Sequence, residues 1–405
     1  ALADEIISRH HFIYDGVQLW AYINGVYRDK GVEVVEREAH RLLGEESRTH
    51  RIREVVDYVK RECWQHDVQW DPDDGLICVA NGLLDWRTET LHPHTPERMS
   101  RIQLPVDWNP TARCPHIEDF LGTSAPDDAI DTLIEFIGYC LMSGQKYQKA
   151  LMLTGDGGDG KSKFIGMVMA FLGVENCANE TLQDICGSRF SLIKLDGKLA
   201  NLYADLPPDP IPDVGTFKAL VGGDFVKLEG KFQEQYYKRL NAKLIFSANN
   251  LPPTSDVSHG WYRRWLIVPF WRKTDVIDPD LEGKITSPDE LSGLLRHVVE
   301  GMRRLEARGG FDEPPSCIAA MAEYRMETDN VAAFLSDVCE TGQGYTTAAR
   351  LYQCYRAYCQ ANGYRPVSQR KFGARLASLG YKSVHTREGN IYHITVLQEA
   401  PSWAG

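Results

Sequence analysis

No apolar stretch of the chain approaches the roughly 20 residues that a membrane-spanning helix needs, and the opening Ala1-Leu2-Ala3-Asp4-Glu5 lacks the basic and apolar regions of a secretory signal. Both absences point to a cytoplasmic protein with no membrane partner. Position 1 is not methionine, so we expect a segment cut from something longer. The ten cysteines contain no C-x-x-C pair, and the nearest two, Cys354 and Cys359, stand five apart in a helix-like stretch. That spacing argues for buried, reduced thiols rather than disulfides or zinc. Basic charge is short as well: 45 Lys and Arg face 56 Asp and Glu, a net charge of −11, which excludes a uniformly cationic nucleic-acid-binding surface.

The basic residues that are present gather in two islands. Between residues 341 and 400 there are eight Lys or Arg against two Glu, and between Val226 and Lys243 five against two. Such islands on an acidic body suggest local DNA contacts. A hydrophobic content of 43% over 405 residues is enough for two or three domains with their own cores.

The most informative segment is Gly155 to Ser162, GDGGDGKS, which matches the phosphate-binding pattern G-x-x-x-x-G-K-[ST] in full. Its flanks fit: Ala150-Leu151-Met152-Leu153 suits a buried strand, while Phe164, Val168 and Phe171 recur at helical spacing. Gly155, Gly157, Gly158 and Gly160 let backbone N–H groups curl around phosphates, and the following helix start adds unpaired donors. Lys161 would reach the β- and γ-phosphates and the Ser162 hydroxyl would ligate Mg²⁺, with Asp159 and Lys163 completing the nucleotide-binding stretch. Asp156 and Asp159 are expected to point outward, because inward carboxylates would repel the phosphates.

Two more strands carry polar residues at their ends. Leu199 to Ala204 leads to Asp205, placed to hold Mg²⁺, and Leu244 to Ala248 leads to Asn249, whose amide could sense the γ-phosphate. Arg263 and Arg264 precede a further strand, Trp265 to Val268, and one of them could act in trans as an arginine finger.

In order, GDGGDGKS, LDGKLANLYADLP, LVGGDFVKLEGKF, AKLIFSANNLPP and WYRRWLIVPF resemble the superfamily 3 helicase core of phage and plasmid primase-helicases, the group that includes the poxvirus helicase-primase. Residues 10 to 145 resemble the amino-terminal domain of that family, and the closing segment its winged-helix tail. The resemblance implies an α/β fold with an AAA+ type P-loop ATPase core. It also implies ATP and Mg²⁺ as cofactors, a homo-oligomeric ring, usually a hexamer, and DNA as forked duplex with a single strand in the pore. A bacterial host cell and an upstream primase domain or partner go with it. No coherent set of polymerase-type metal ligands is visible in residues 1 to 118.

The segmentation that follows is an α+β accessory domain over 1–118 and the ATPase core with a preceding helical region over 119–275. A helical connector over 276–329 and a winged helix over 330–400 complete it. In the first region Asn24-Gly25 and Asn81-Gly82 are expected hairpin turns, and Phe12, Tyr14, Trp20, Tyr22 and Tyr27 are expected core aromatics. Family members often carry two adjacent acids where Asp205 stands between Ala204 and Leu206, so Asp205, Asp209, Asp213 and Asp224 are all open as general base.

In this helicase class the stretch matching Gly222 to Lys243 forms a pore hairpin. Here Phe225 to Leu228 would form one strand, Glu229-Gly230 the turn, and Lys231-Phe232 the start of the return, so that Lys227 and Lys231 flank the tip. Repeated around a ring, such lysines make a basic collar for a DNA strand. The C-terminal module reads as three helices and a wing, the last helix capped by Ser368, with Phe372, Leu376 and Leu379 buried and Gln369, Arg370, Lys371 and Arg375 facing DNA. The leading reading is therefore a replicative DNA helicase. The competing readings are an AAA+ initiator or regulator that hydrolyses ATP without processive unwinding, and a small-molecule kinase built on the same loop.

Overall fold

A computed structural model describes residues 2–230, 235–254, 256–271, 278–362, 364, 366–386 and 389–397. The chain divides into two compact units: residues 1–252 with 264–317, and residues 253–263 with 318–405.

The first unit opens with a meander of Phe12–Tyr14, Leu19–Ile23 and Val26–Arg28, backed by the helices Leu2–Arg9, Gly31–Leu43 and Thr49–Glu62. Asn24 and Gly25, at φ 51° and 90°, make the hairpin turn that this dipeptide predicts. Of the expected core aromatics, Phe12 and Tyr27 are buried, whereas Tyr14, Trp20 and Tyr22 are half-buried. A second meander runs through Leu76–Val79, Gly82–Asp85 and Thr90–His92. Its first turn is Ala80-Asn81 rather than Asn81-Gly82, because Gly82 is already paired with Val79. Gly82 is also packed against the next strand, where a Cβ would lie 2.5 Å from the His92 carbonyl.

The center of this unit is a five-stranded sheet in the order Trp265–Pro269, Ala150–Thr154, Lys243–Ala248, Ala200–Tyr203, Cys177–Ala178, all parallel. Its middle strands are apolar almost without interruption, as a parallel sheet covered on both faces requires. Helices Lys161–Leu172, Ile130–Leu141 and Pro288–Arg308 bury Phe136, Phe164, Phe171, Leu294 and Val298 in the same core. Gly138 lets the last two helices approach: a Cβ there would sit 2.6 Å from Met302 Cγ.

The second unit holds helices Asn330–Val338, Ala348–Ala361 and Gln369–Ser378 and a three-stranded antiparallel sheet ordered Cys339–Thr347, Gly389–Val396, Val384–Thr386. Phe334, Tyr355 and Phe372 form its core, with the rings of Tyr355 and Phe372 stacked 4.6 Å apart. Ser368 caps its helix as expected, accepting from the Lys371 N–H. Among the described residues no helix is long and apolar enough to cross a membrane.

Candidate functional site: a glycine loop at the C-terminal edge of a parallel sheet

The strand Ala150–Thr154 ends just before Gly155 and the helix Lys161–Leu172 begins six residues after that glycine, so the loop lies between a strand end and a helix start. Gly157, Gly158 and Gly160 adopt φ of 97°, 69° and 100°, a region that costs other residues but not glycine. Gly155 is required for space: a Cβ there would lie 2.0 Å from Asp159 Oδ2 and 2.4 Å from the Phe270 carbonyl.

Asp156 points outward as expected, and Asp159 does not. The Asp159 carboxylate is buried inside the loop, where Lys161 Nζ donates to it at 2.5 Å and the backbone N–H groups of Gly157 and Lys161 donate at 3.4 Å. Lys161 Nζ also donates to the Gly155 carbonyl at 2.9 Å. The expectation rested on repulsion by phosphates. In the loop itself the buried ammonium attracts the carboxylate, and that attraction decides its direction. The loop's donors thus gather on the two oxygens of one carboxylate. Ser162 is exposed at the helix start, and Lys163 is exposed and paired with Glu282.

The strand Lys243–Ala248 lies between the loop strand and Ala200–Tyr203, so Asn249 stands between the loop and Asp205. With strands about 4.8 Å apart, all three fall within roughly 10 Å along one sheet edge. Asp205 is exposed, with φ 61°, a left-handed conformation that Asp tolerates better than most residues. Its turn is fastened to the middle strand: its N–H donates to the buried Ser247 Oγ at 3.0 Å, and the Leu206 N–H donates to the Ser247 carbonyl at 2.8 Å. Nothing in the sequence singles out Ser247.

The other candidate acids are placed differently. Asp213 caps the helix Val214–Gly222, accepting from the Gly215 N–H at 2.9 Å and from Thr216 Oγ1 at 2.7 Å. The hydroxyl bond and then the backbone bond hold its carboxyl below the ordinary range. Asp209 and Asp224 are exposed. Arg264 is half-buried in the first unit, its Nη2 3.5 Å from where a Gly222 Cβ would be, and its carbonyl accepts from the Ala150 N–H at 2.7 Å. Arg263 is exposed and belongs to the second unit.

The hairpin of the first unit pairs Val226–Leu228 with Tyr236–Lys238, with Lys227 exposed opposite Tyr237. The last pair before the tip among the described residues is Leu228 with Tyr236, which excludes the two-residue turn expected at Glu229-Gly230. Lys231 lies outside the described residues. Lys243 leaves the basic island altogether: it is buried, donates to the carbonyls of Met142 and Asn241 at 2.9 and 2.8 Å, and burial pushes its ammonium down to about 8.

In the second unit, Gln369, Arg370 and Lys371 are exposed on one helix. Arg375 on the same helix does not face outward. Its guanidinium donates through Nε at 2.7 Å and through Nη2 to Asp329, a carboxylate only 3% exposed that also caps the helix Asn330–Val338. A buried acid needs that cation more than the surface does.

Fold and site together define an α/β protein whose parallel sheet presents a glycine loop, an amide and a carboxylate along one edge. Three family models match in succession: a D5 N-terminal-like model over residues 5–124, a family of unknown function (DUF5906) over 153–264, and a poxvirus D5 protein-like model over 326–400. The chain is 24% identical over 351 residues to a protein of Acanthamoeba polyphaga mimivirus named "Putative helicase L207/L206", covering 75% of this chain and about a third (35%) of that protein. Two solved structures of the NrS-1 C-terminal region in its A form, without ligand, share the fold. Their TM-scores are 0.56 and 0.53 at 11% and 12% identity, each covering 98% of this chain and 98% and 99% of its own. Together these likenesses support the resemblance to phage and viral primase-helicases.

Proposed function

We propose that the chain is the motor portion of a replicative DNA helicase, an ATPase of the AAA+ superfamily 3 type that works as a ring and translocates on DNA with pore hairpins. The observation that carries the reading is the alignment of the glycine loop, Asn249 and Asp205 on adjacent strand ends of one parallel sheet. The segmentation into 1–118, 119–275, 276–329 and 330–400 belongs to the same reading, with the three helices and small sheet of the last segment as its winged helix. A cytoplasmic location is part of it too.

The donor set suits ATP with Mg²⁺. Two of the loop's N–H groups already donate to a carboxylate, and Ser162 and Asp205 are exposed oxygen ligands at the same edge. When bound, ATP with Mg²⁺ supplies a phosphoryl group whose transfer to water releases the energy for movement. Lys161 would balance phosphate charge once it parts from Asp159, and Ser162 and Asp205 would hold the metal. Asn249 would orient the water, with Asp205, which follows the neighbouring strand, as a candidate general base. Arg263 or Arg264 would reach the site of the neighbouring subunit. Lys227 and Lys231 would grip the translocated strand, and Arg370 and Lys371 would hold duplex DNA.

The test is strand separation of a forked duplex with ATP and Mg²⁺, comparing the parent with Lys161→Ala. Unwinding by the parent alone supports the motor. ATP hydrolysis by a parent that leaves the fork closed would favour the initiator or regulator reading.

A further inference from the structure

At the edge of the parallel sheet opposite the glycine loop, the first unit encloses a cleft of about 470 Å³. Leu199 and Asn241, which lead into the strands Ala200–Tyr203 and Lys243–Ala248, form part of its wall, so a whole strand length separates it from the loop. The volume falls within the roughly 300–1,000 Å³ of small-ligand sites. Its lining holds seven Lys or Arg and four Asp or Glu, a cationic surplus on a chain whose net charge is −11.

The cations are not equally committed. Arg98 is spent on Asp74 and the Leu76 carbonyl, Arg87 on Glu306, and Lys238 on Asp196. Lys146 and Arg239 have no carboxylate within ion-pair distance among the described residues. They lie instead over the rings of Tyr147 and Phe225 at 5.3 and 4.7 Å. Arg101 is packed between Trp20 and Trp70, its guanidinium 5.2 and 5.1 Å from their rings. Its buried Nε has no hydrogen-bond partner among the described residues and meets Asp71 only as an ion pair at 3.6 Å.

Cations whose side chains hydrogen-bond no carboxylate among the described residues and lie over aromatic rings are the chemistry of a nucleotide: phosphate to the cations, base to a ring face. We propose that this cleft binds a nucleotide unit of single-stranded nucleic acid, with Lys146, Arg239 and Arg101 on the phosphates and Tyr147 or Trp70 against a base. Lys146 moving onto a phosphate uncovers the Tyr147 face. The site deepens the helicase reading by naming a strand contact outside the pore, yet it needs no ATP, so the two can fail separately.

The experiment is a titration of the full chain with fluorescein-labelled oligo(dT), without ATP, across 50 to 200 mM salt, with free thymidine monophosphate as competitor. For Lys146→Ala/Arg239→Ala we expect affinity to fall about tenfold and the slope of log K against log salt to drop by about 1.4, two phosphate contacts at about 0.7 each. Ultraviolet cross-links from the parent should fall on peptides containing Trp70 or Tyr147. Unchanged affinity and slope, or cross-links confined to other peptides, overturn the cleft. Competition by the monophosphate at the oligonucleotide's own concentration overturns the strand as occupant in favour of a free nucleotide. If the oligonucleotide binds here and no fork is unwound with ATP, it is the helicase reading that fails, and the cleft stands.

Discussion

Lys161 and Asp159 form an ion pair of 2.5 Å inside the glycine loop, both side chains less than a tenth exposed. A phosphate binding to this loop has to take the lysine away from a carboxylate and tolerate that carboxylate nearby. Asp159→Asn keeps the shape and removes the competing charge, so ATP affinity should rise about tenfold, equivalent to about 1.4 kcal/mol. Titration with a fluorescent ATP analogue reads this directly. Weaker binding by the variant would mean that Asp159 holds the lysine in place for the phosphates rather than withholding it.

The same pair complicates the usual disabling substitution. Lys161→Ala leaves a buried carboxylate without its cation, a loss of roughly 3–5 kcal/mol for an interior pair, lessened here by the backbone donors and by solvent at the loop. We expect the melting temperature of Lys161→Ala to fall clearly below that of the parent. Adding Asp159→Asn should restore most of the loss without restoring ATP hydrolysis. A double variant no more stable than Lys161→Ala would show that the pair contributes nothing to the fold.

Ser247 is a positioning residue for Asp205, because it holds the turn on which the exposed carboxylate stands. Ser247→Ala should lower kcat for ATP hydrolysis about tenfold while leaving ATP affinity nearly unchanged, since the glycine loop does not depend on it. Asp205→Asn should fold normally, as Asn also tolerates positive φ, and should lose Mg²⁺-dependent hydrolysis. If Ser247→Ala changes only stability, the hydrogen bond has no part in placing the carboxylate.

Much of this was legible from sequence where one local rule governed the outcome. Apolar runs located the parallel strands, glycines located the loop, and Ser368 marked a helix start. What escaped notice depended on a partner distant in sequence or on an irregular backbone. Asp329 is 46 residues from Arg375, and no pattern joins them. The strand Cys339–Thr347 has no alternating apolar pattern, carries Gly342 and Gly344 at positive φ, and shifts register between Thr341 and Thr346. The Lys243 ammonium reads as a surface charge until the sheet buries it among backbone carbonyls.

Arg375 and its exposed neighbours should separate cleanly. Arg375→Ala strands the buried Asp329 carboxylate and should destabilise the second unit by several kcal/mol, seen as loss of its cooperative melting. Arg370→Ala and Lys371→Ala should leave melting unchanged and weaken duplex binding by a similar factor for every sequence, with a smaller salt slope. Equal melting of Arg375→Ala and the parent would refute the structural role.

Lys243 gives a pH signature. Its ammonium is lowered to about 8 by burial, against about 10.4 in an unfolded chain, so between those values the unfolded state binds more protons. The penalty, about 3 kcal/mol in order of magnitude, is fully present below pH 8 and relieved as pH rises towards 10.4. Buried thiols and phenols act in the opposite sense over the same range, Cys140 among them at about 12, since their folded forms hold protons that the unfolded chain releases. Stability of the parent alone therefore conceals the effect. The difference between the parent and Lys243→Met isolates it: relative to the variant, the parent should gain stability steadily from pH 8 to pH 10 in urea melts. At pH 7 the variant escapes the charge penalty but leaves two buried carbonyls without a donor, so the net change there depends on both. A parent-minus-variant difference that stays flat with pH would show that Lys243 enters the fold with an ordinary ammonium.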